Sequence, residues 1–329
     1  MRVLVTGGSG YLGSAAVPAL VARGHEVVTI GRHRGVDALV CDLTDPKAVR
    51  QAVRAAGEID GVVHLAARAH DFSGLTLEDF LLANTTTTGN LIAALRESGH
   101  KARVRFVHAS SVAVYEILTG SRQMDARQAP YAASKLEAEQ LLFAEPLLLP
   151  ESLLSADSFQ SLFVLRFAPI YDPTNLQDVA KRVFLPGTRL KLRLLPPPVH
   201  SLCALSTAVD AIVTALDESR ATQPRILNVT DAMPISQGEL VSWFPGPALP
   251  VPTAVLRAVA TGLTLCGRPG RKLSRLIWKF AASSIYPEPA SPSRVAAAAT
   301  ESLDERQDLL GLGSPGDALD GTAGTGPQG

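Results

Sequence analysis

Short apolar runs alternate along the first half of the chain with longer stretches in which apolar residues recur every three or four positions. A run of four to eight apolar residues fits a strand buried on both faces, and the longer period fits a helix with one buried face. On this pattern strands are predicted at Arg2–Thr6, His25–Ile30, Ala38–Cys41, Gly61–Leu65, Val104–Ala109 and Leu162–Phe167. Helices are predicted from the turn after Thr6 to Ala22, and over Pro46–Ala55, Thr88–Glu97 and Ala132–Phe143. Pro18 falls inside the first helix, where the lost N–H predicts a kink. Strands and helices in alternation predict an α/β protein with a doubly wound parallel sheet.

Past about Ile170 the alternation weakens. Prolines gather at 196–198 and again at 245, 247, 250 and 252, which predicts a smaller lobe held together by irregular segments. From Pro287 the composition turns to Ala, Ser, Pro and Gly, too poor in large apolar side chains to bury a core. The expected division is a first domain over 1–170, a mostly substrate-binding lobe over 171–290, and a poorly ordered low-complexity tail over 291–329.

Charge and cysteine content narrow the classes of function. Thirty-one basic and thirty-one acidic residues cancel, which leaves no global basic footprint for a nucleic acid. Cys41, Cys203 and Cys266 are far apart and lack metal or redox spacing, so they read as ordinary thiols in a reducing compartment, with no metal site. The chain begins directly in a strand and carries no run of eighteen apolar residues, so neither a signal peptide nor a spanning helix is predicted. A cytoplasmic protein is expected.

Candidate chemistry begins at Gly7, Gly10 and Gly13, a GxxGxxG inside TGGSGYLG. They follow a buried strand and open a helix, where glycines let backbone amides approach a pyrophosphate at the positive helix end. A Rossmann domain binding NAD(P) is the reading this context supports. An acid that holds the adenosine ribose is expected about 20 residues further on. The chain offers Gly31-Arg32-His33-Arg34 there, and a guanidinium suits a 2′-phosphate. Arg32 therefore leans the cofactor toward NADP, against the plainer reading of a solvated loop arginine.

Tyr131 and Lys135, in YAASK, share one face of a predicted helix at i and i+4. Ser111 follows the strand RFVHAS, and a parallel sheet brings strand C-terminal ends to the edge where ligands of doubly wound folds bind. Tyr131 would exchange a proton with a substrate hydroxyl, Lys135 would ease its ionisation, and Ser111 would hold the same oxygen.

With these motifs the chain resembles the extended short-chain dehydrogenase/reductases, the NAD-dependent epimerase/dehydratase family. The resemblance extends over about residues 1–290 and is specific in the first 175. It implies cofactor contacts from Tyr11 and Leu12 in the glycine turn, from Asp42 and Leu43 at the adenine, and from Leu65, Ala66 and Ala67 beneath the cofactor. It also implies roles for Asn84, in the family's N-x-x-x-G-x-x-N-L pattern, for Lys135, and for Phe167 beside the nicotinamide.

Within the family, HLAARAH and HSLCALSTAVDAI look most like UDP-glucose 4-epimerase-like enzymes, which implies a nucleotide-sugar substrate. His200 stands where those enzymes usually have an Arg, and Ser206 where they have an Asp. Arg189, Lys191 and Arg193 are candidate substitutes, with a solvated charged strand as the plainer reading. Sugar-nucleotide 4,6-dehydratases follow the catalytic hydroxyl with Asp-Glu, and Val112 and Ala113 here move no proton, leaving epimerisation or simple oxidation and reduction.

The second resemblance is to 3β-hydroxysteroid dehydrogenases, which implies a sterol or other alcohol. It rests on an apolar stretch after Pro252, followed by Arg268, Arg271, Lys272, Arg275 and Lys279. Such a pair over 252–279 would either pack on the second lobe or lie on an anionic membrane surface. A cofactor-binding sensor without turnover is the reading from a different class, and the family implies a homodimer.

Overall fold

A computed structural model describes residues 1–286, apart from 34, 36, 70–73, 100–103, 119–125, 127–128, 145–158 and 219–223. The tail expected over 291–329 lies outside the described residues.

Six strands, β1 (Arg2–Thr6), β2 (Glu26–Gly31), β3 (Leu39–Val40), β4 (Gly61–His64), β5 (Arg105–Ser111) and β6 (Ser161–Phe167), are joined by Arg225–Val229 in one seven-stranded sheet. The spatial order is β3-β2-β1-β4-β5-β6 and then Arg225–Val229, with every pair parallel. Strand order reverses between β1 and β4, which opens the crevice where doubly wound folds bind ligands. Central strands read as unbroken apolar runs because helices cover both faces, and β4 and β6 are buried at every position.

The helices divide between two cores. On one face α1 (Tyr11–Ala22) packs with Leu205–Asp217, around Val5, Ala16, Leu20, Leu165 and Ile212. The helix α1 runs through Pro18 as one element. On the other face lies α2 (Pro46–Ala55), where Asp45 caps the helix by accepting from Lys47 N–H, with Pro46 at the first helical position. Beside it a longer helical segment starts earlier than the predicted Thr88. Thr76 and Asp79 form a reciprocal cap that starts α3 (Leu77–Phe80), which passes through a π-helical stretch, Leu81–Thr86, into α4 (Thr87–Glu97). After β5 come the short α5 (Tyr115–Leu118) and then α6 (Pro130–Ala144).

Beyond β6 the chain serves two structures. Leu205–Asp217 and Arg225–Val229 belong to the central sheet. The rest forms two-stranded pairs, among them Leu192–Leu195 with Leu249–Pro252 and Val199–His200 with Ile235–Ser236. Two small cores hold them, one around Val179, Leu202 and Leu240, the other around Leu194, Leu256, Ile277 and Phe280. Helices Thr253–Leu263 and Gly267–Ala281 pack into the second of these, and Lys279 pairs with Glu116 at 2.7 Å. Arg271 and Lys272 are exposed and Arg275 is half-buried, while the Arg268 side chain lies outside the described residues. Lys191 corrects the solvated-strand reading: it is buried, and its ammonium donates to the carbonyls of Phe244 and Gly246.

Candidate active site

Between β1 and α1 the backbone folds too tightly for side chains. Gly7 has φ +72°, and a β-carbon there would stand 2.7 Å from Ala66 N. A β-carbon on Gly13 would collide with the Gly7 carbonyl and come within 2.7 Å of the Gly8 Cα. Gly10 N–H closes the turn onto the Gly7 carbonyl at 3.0 Å. No side chain caps α1 and no acid lies in its first turn, so its free amides and positive end suit a pyrophosphate. The residues present fit a dinucleotide cofactor. Leu65 N–H donates to the Thr6 carbonyl, which sets Leu65 and Ala66 directly against the turn and carries the chain on to exposed Ala67.

At the end of β5 the three predicted catalytic residues converge. The Ser111 hydroxyl accepts from Ala113 N–H at 3.1 Å, capping a short turn of helix, and stands close enough to the Tyr131 phenol to influence its ionisation. Burial pushes the phenol above its ordinary value, Ser111 pulls it back, and Asp178 adds to the rise. One helical turn on, Lys135 is buried and donates from Nζ to the Ala109 carbonyl at 2.5 Å. Burial pushes its ammonium down to about 8, with Glu139 opposing the fall. Phe80 meets the Tyr131 ring edge-on at 6.2 Å.

Behind them lies a buried polar layer. Glu139 accepts from the Ser110 hydroxyl and is bridged to Arg166 on β6 at 2.5 Å, with both charged side chains fully buried. His64 is hydrogen-bonded to Thr6 and Thr88. Burial first, then the charge of Lys135, pushes it down to about 3, and His108 shifts the same way. Asn84, in the π-helical stretch, accepts from Arg68 N–H and donates to the Arg68 carbonyl and the Ser134 hydroxyl. It ties the end of β4 to α6. That contact was not legible in its motif.

The other predicted residues are scattered around this centre. Tyr11 is hydrogen-bonded through its hydroxyl to Asp172 at 2.6 Å, joining the glycine turn to the segment after β6. Leu12 packs into the core under the turn, and Leu43 into the opposite one. Asp42 is exposed and held below the usual carboxylate range, first by Thr44 N–H, then by the Thr44 hydroxyl, with a smaller pull from Arg32. Arg32 itself is exposed. Phe167 is buried at the end of β6, in register with Ser111. His200 is buried, hydrogen-bonded to Ser284 at 2.9 Å and pushed down to about 3 by burial and by Arg182, so it carries no charge. Ser206 is exposed.

Sequence reasoning passed over Asp178, whose charge reaches the Tyr131 phenol from the second lobe, and Arg182, one helical turn beyond it. Arg182 donates to the Asp178 carbonyl at 2.6 Å, and its Nε has no hydrogen-bond partner among the described residues. No group of three or more His, Cys, Asp or Glu side chains among the described residues could hold a metal. No helix among them is long and apolar enough to cross a membrane.

Residues 3–145 match the family described as the NAD dependent epimerase/dehydratase family. A 2-alkyl-3-oxoalkanoate reductase of Stenotrophomonas maltophilia is 38% identical over 160 residues, 44% of this chain and 46% of that protein. A UDP-glucose 4-epimerase of Klebsiella pneumoniae is 31% identical over 131 residues, 35% of this chain and 92% of that relative. The chain spans about half the length of the first curated relatives it matches. Among solved structures, a short-chain dehydrogenase/reductase superfamily protein from Agrobacterium tumefaciens with bound NAD superposes with a TM-score of 0.58. That likeness covers 94% of this chain and 99% of the other at 19% identity, and speaks to fold alone.

Proposed function

Because the chain belongs to the NAD-dependent epimerase/dehydratase family, we propose that it oxidises, reduces or epimerises a secondary alcohol, with a nucleotide sugar as substrate. The observation that carries this reading is the convergence of Ser111, at the end of β5, with Tyr131 and with Lys135 one helical turn on, whose ammonium donates to the Ala109 carbonyl of the same strand. When bound, the nicotinamide accepts or returns a hydride. Tyr131 exchanges the hydroxyl proton, Ser111 holds the same oxygen, and Lys135 supplies positive charge below the phenol. Val112 and Ala113 are apolar, so the elimination of water has no acid or base at those positions. Arg182 supports a nucleotide sugar, since a diphosphate needs a cation and this one keeps an unpartnered N–H one helical turn from Asp178, whose charge reaches Tyr131.

A second reading takes an apolar alcohol or ketone, and the neutral, buried His200 favours it. Where related sugar-nucleotide enzymes carry a guanidinium, this chain has an imidazole without charge. The similarity to a 2-alkyl-3-oxoalkanoate reductase points the same way. Native mass spectrometry of the purified protein separates the two readings, by a co-purified sugar nucleotide or an apolar acyl compound. Turnover assays with UDP-glucose and with a 3-oxoacyl compound, following reduced nicotinamide, complete the test. A protein that binds cofactor yet turns over no alcohol or ketone, and is indifferent to Tyr131→Phe, is instead a sensor.

Residues 1–170 are proposed as the cofactor domain and the paired strands after them as the substrate side. The contest at the ribose end, where Arg32 favours a 2′-phosphate, turns on a second residue.

A further inference from the structure

At the end of β2 the space that a side chain on Gly31 would fill is already taken by a carboxylate. A β-carbon built on Gly31 meets Asp37 Cγ at 2.7 Å and Oδ1 at 2.8 Å. Gly31 stands one residue beyond Ile30, which pairs with Thr6, so this carboxylate lies level with Gly7, the first glycine of the turn. The loop that brings it there is closed on itself. Asp37 N–H donates to the His33 carbonyl at 2.9 Å, His33 N–H donates to Asp37 Oδ2 at 2.9 Å, and Gly35 turns the chain at φ +82°.

One carboxylate oxygen is therefore committed to the loop, and the other is not. Asp37 is only 6% exposed, and its buried Oδ1 has no hydrogen-bond partner among the described residues. A buried acceptor without a donor is costly, and a hydroxyl delivered to it relieves the cost. Arg32 offers a poor counterweight, because it is exposed and already within electrostatic reach of Asp42. A second carboxylate at the place of the Gly31 side chain thus adds negative charge where a 2′-phosphate would sit, a setting that repels a doubly charged group.

We propose that Asp37 stands in for the missing acid at position 31 and accepts the adenosine 2′-hydroxyl, so that the protein selects NAD(H) over NADP(H). This rests on the dinucleotide-binding reading and reverses the preference that Arg32 alone suggests. Selection then comes from a residue six positions past the strand end, folded back into the place of an absent side chain.

Titration of the full-length protein with NADH and NADPH, followed by fluorescence, tests it. The unmodified protein should bind NADH at least tenfold more tightly. Asp37→Asn keeps an acceptor for His33 N–H but removes the charge, and should bring the two affinities within about threefold. Arg32→Ala should leave the NADH preference in place. A 2′-deoxy analogue of NADH should bind the unmodified protein at least tenfold more weakly than NADH, a result that needs no variant to fold. NADPH binding as tightly as NADH, or the deoxy analogue binding as well as NADH, overturns the assignment of Asp37 while leaving dinucleotide binding intact. Binding of neither dinucleotide overturns the underlying reading as well.

Discussion

The half around the glycine turn and the lobe beyond β6 build the surroundings of the candidate site by opposite means. Around the glycine turn, shape is set by backbone packed so closely that Gly7 and Gly13 admit no β-carbon. Around Arg182 and His200 the site is assembled from side chains on short strands and helices, held by two small cores. Backbone so packed tolerates almost no substitution, whereas side chains on small cores can be exchanged singly at modest cost. The family match ends at residue 145, inside the first half, which fits this difference.

The comparison is sharpened most by Tyr131→Phe, at the meeting of the two halves. It keeps the ring against Phe80 and removes the proton, so turnover should fall by roughly 10²–10⁴ while cofactor affinity changes only a few fold. Steady-state kinetics beside a cofactor titration measure both. Normal turnover would remove Tyr131 from the chemistry.

Gly13→Ala puts a methyl into the Gly7 carbonyl. Overpacking of this kind costs about 1–3 kcal/mol, and here it should also push the turn out of shape. Cofactor binding should weaken by more than about tenfold, alongside a lower melting temperature. Gly262→Ala, in an open position of the second lobe, should be close to neutral. Equal behaviour of the two variants would erase the contrast between the halves.

Acid should expose each half separately. His64 and His200, one in each, are buried and neutral with values pushed down to about 3. The unfolded chain takes up a proton below the ordinary 6.5 and the folded chain does not, so stability falls as pH drops through the interval from 6.5 to about 3. Each histidine contributes a slope of up to about 1.4 kcal/mol per pH unit. Melting temperatures taken across that interval should flatten for His200→Gln, and separately for His64→Gln. An unchanged slope in both would mean that neither imidazole is buried neutral.

Tyr11→Phe should have the smallest effect. It deletes one exposed hydrogen bond between the glycine turn and Asp172, worth about 0.5–1.5 kcal/mol at most. A small loss of cofactor affinity with intact turnover is expected.

These differences also explain what the sequence disclosed. Strands β1, β4, β5 and β6 are buried from both sides, so each shows as an apolar run, while Tyr131 and Lys135 are legible from their i, i+4 spacing and Ser111 from its place after a buried strand. Two-residue strands such as Val199–His200 have no period to read, and their partners lie far along the chain. Lys191 looked like a solvated charge because its acceptors, the carbonyls of Phe244 and Gly246, are more than fifty residues away. Asp37 was hidden for the same reason on a smaller scale: its meaning depends on a loop closure that no spacing rule contains. The start of α3 was the exception, since Thr76 and Asp79 have the spacing of a reciprocal cap and were passed over.

The π-helical stretch Leu81–Thr86 acts as a phase shifter. A regular α-helix running from Leu77 to Glu97 would keep one angular register throughout. The wider turn instead rotates α4 relative to α3, so that Asn84 and Thr85 can face Ser134 while Leu91, Ile92 and Leu95 meet the sheet. Removing a single residue from this stretch would restore the regular winding and swing one of those two faces away from its neighbour. The segment therefore tolerates changes of side chain far better than changes of length.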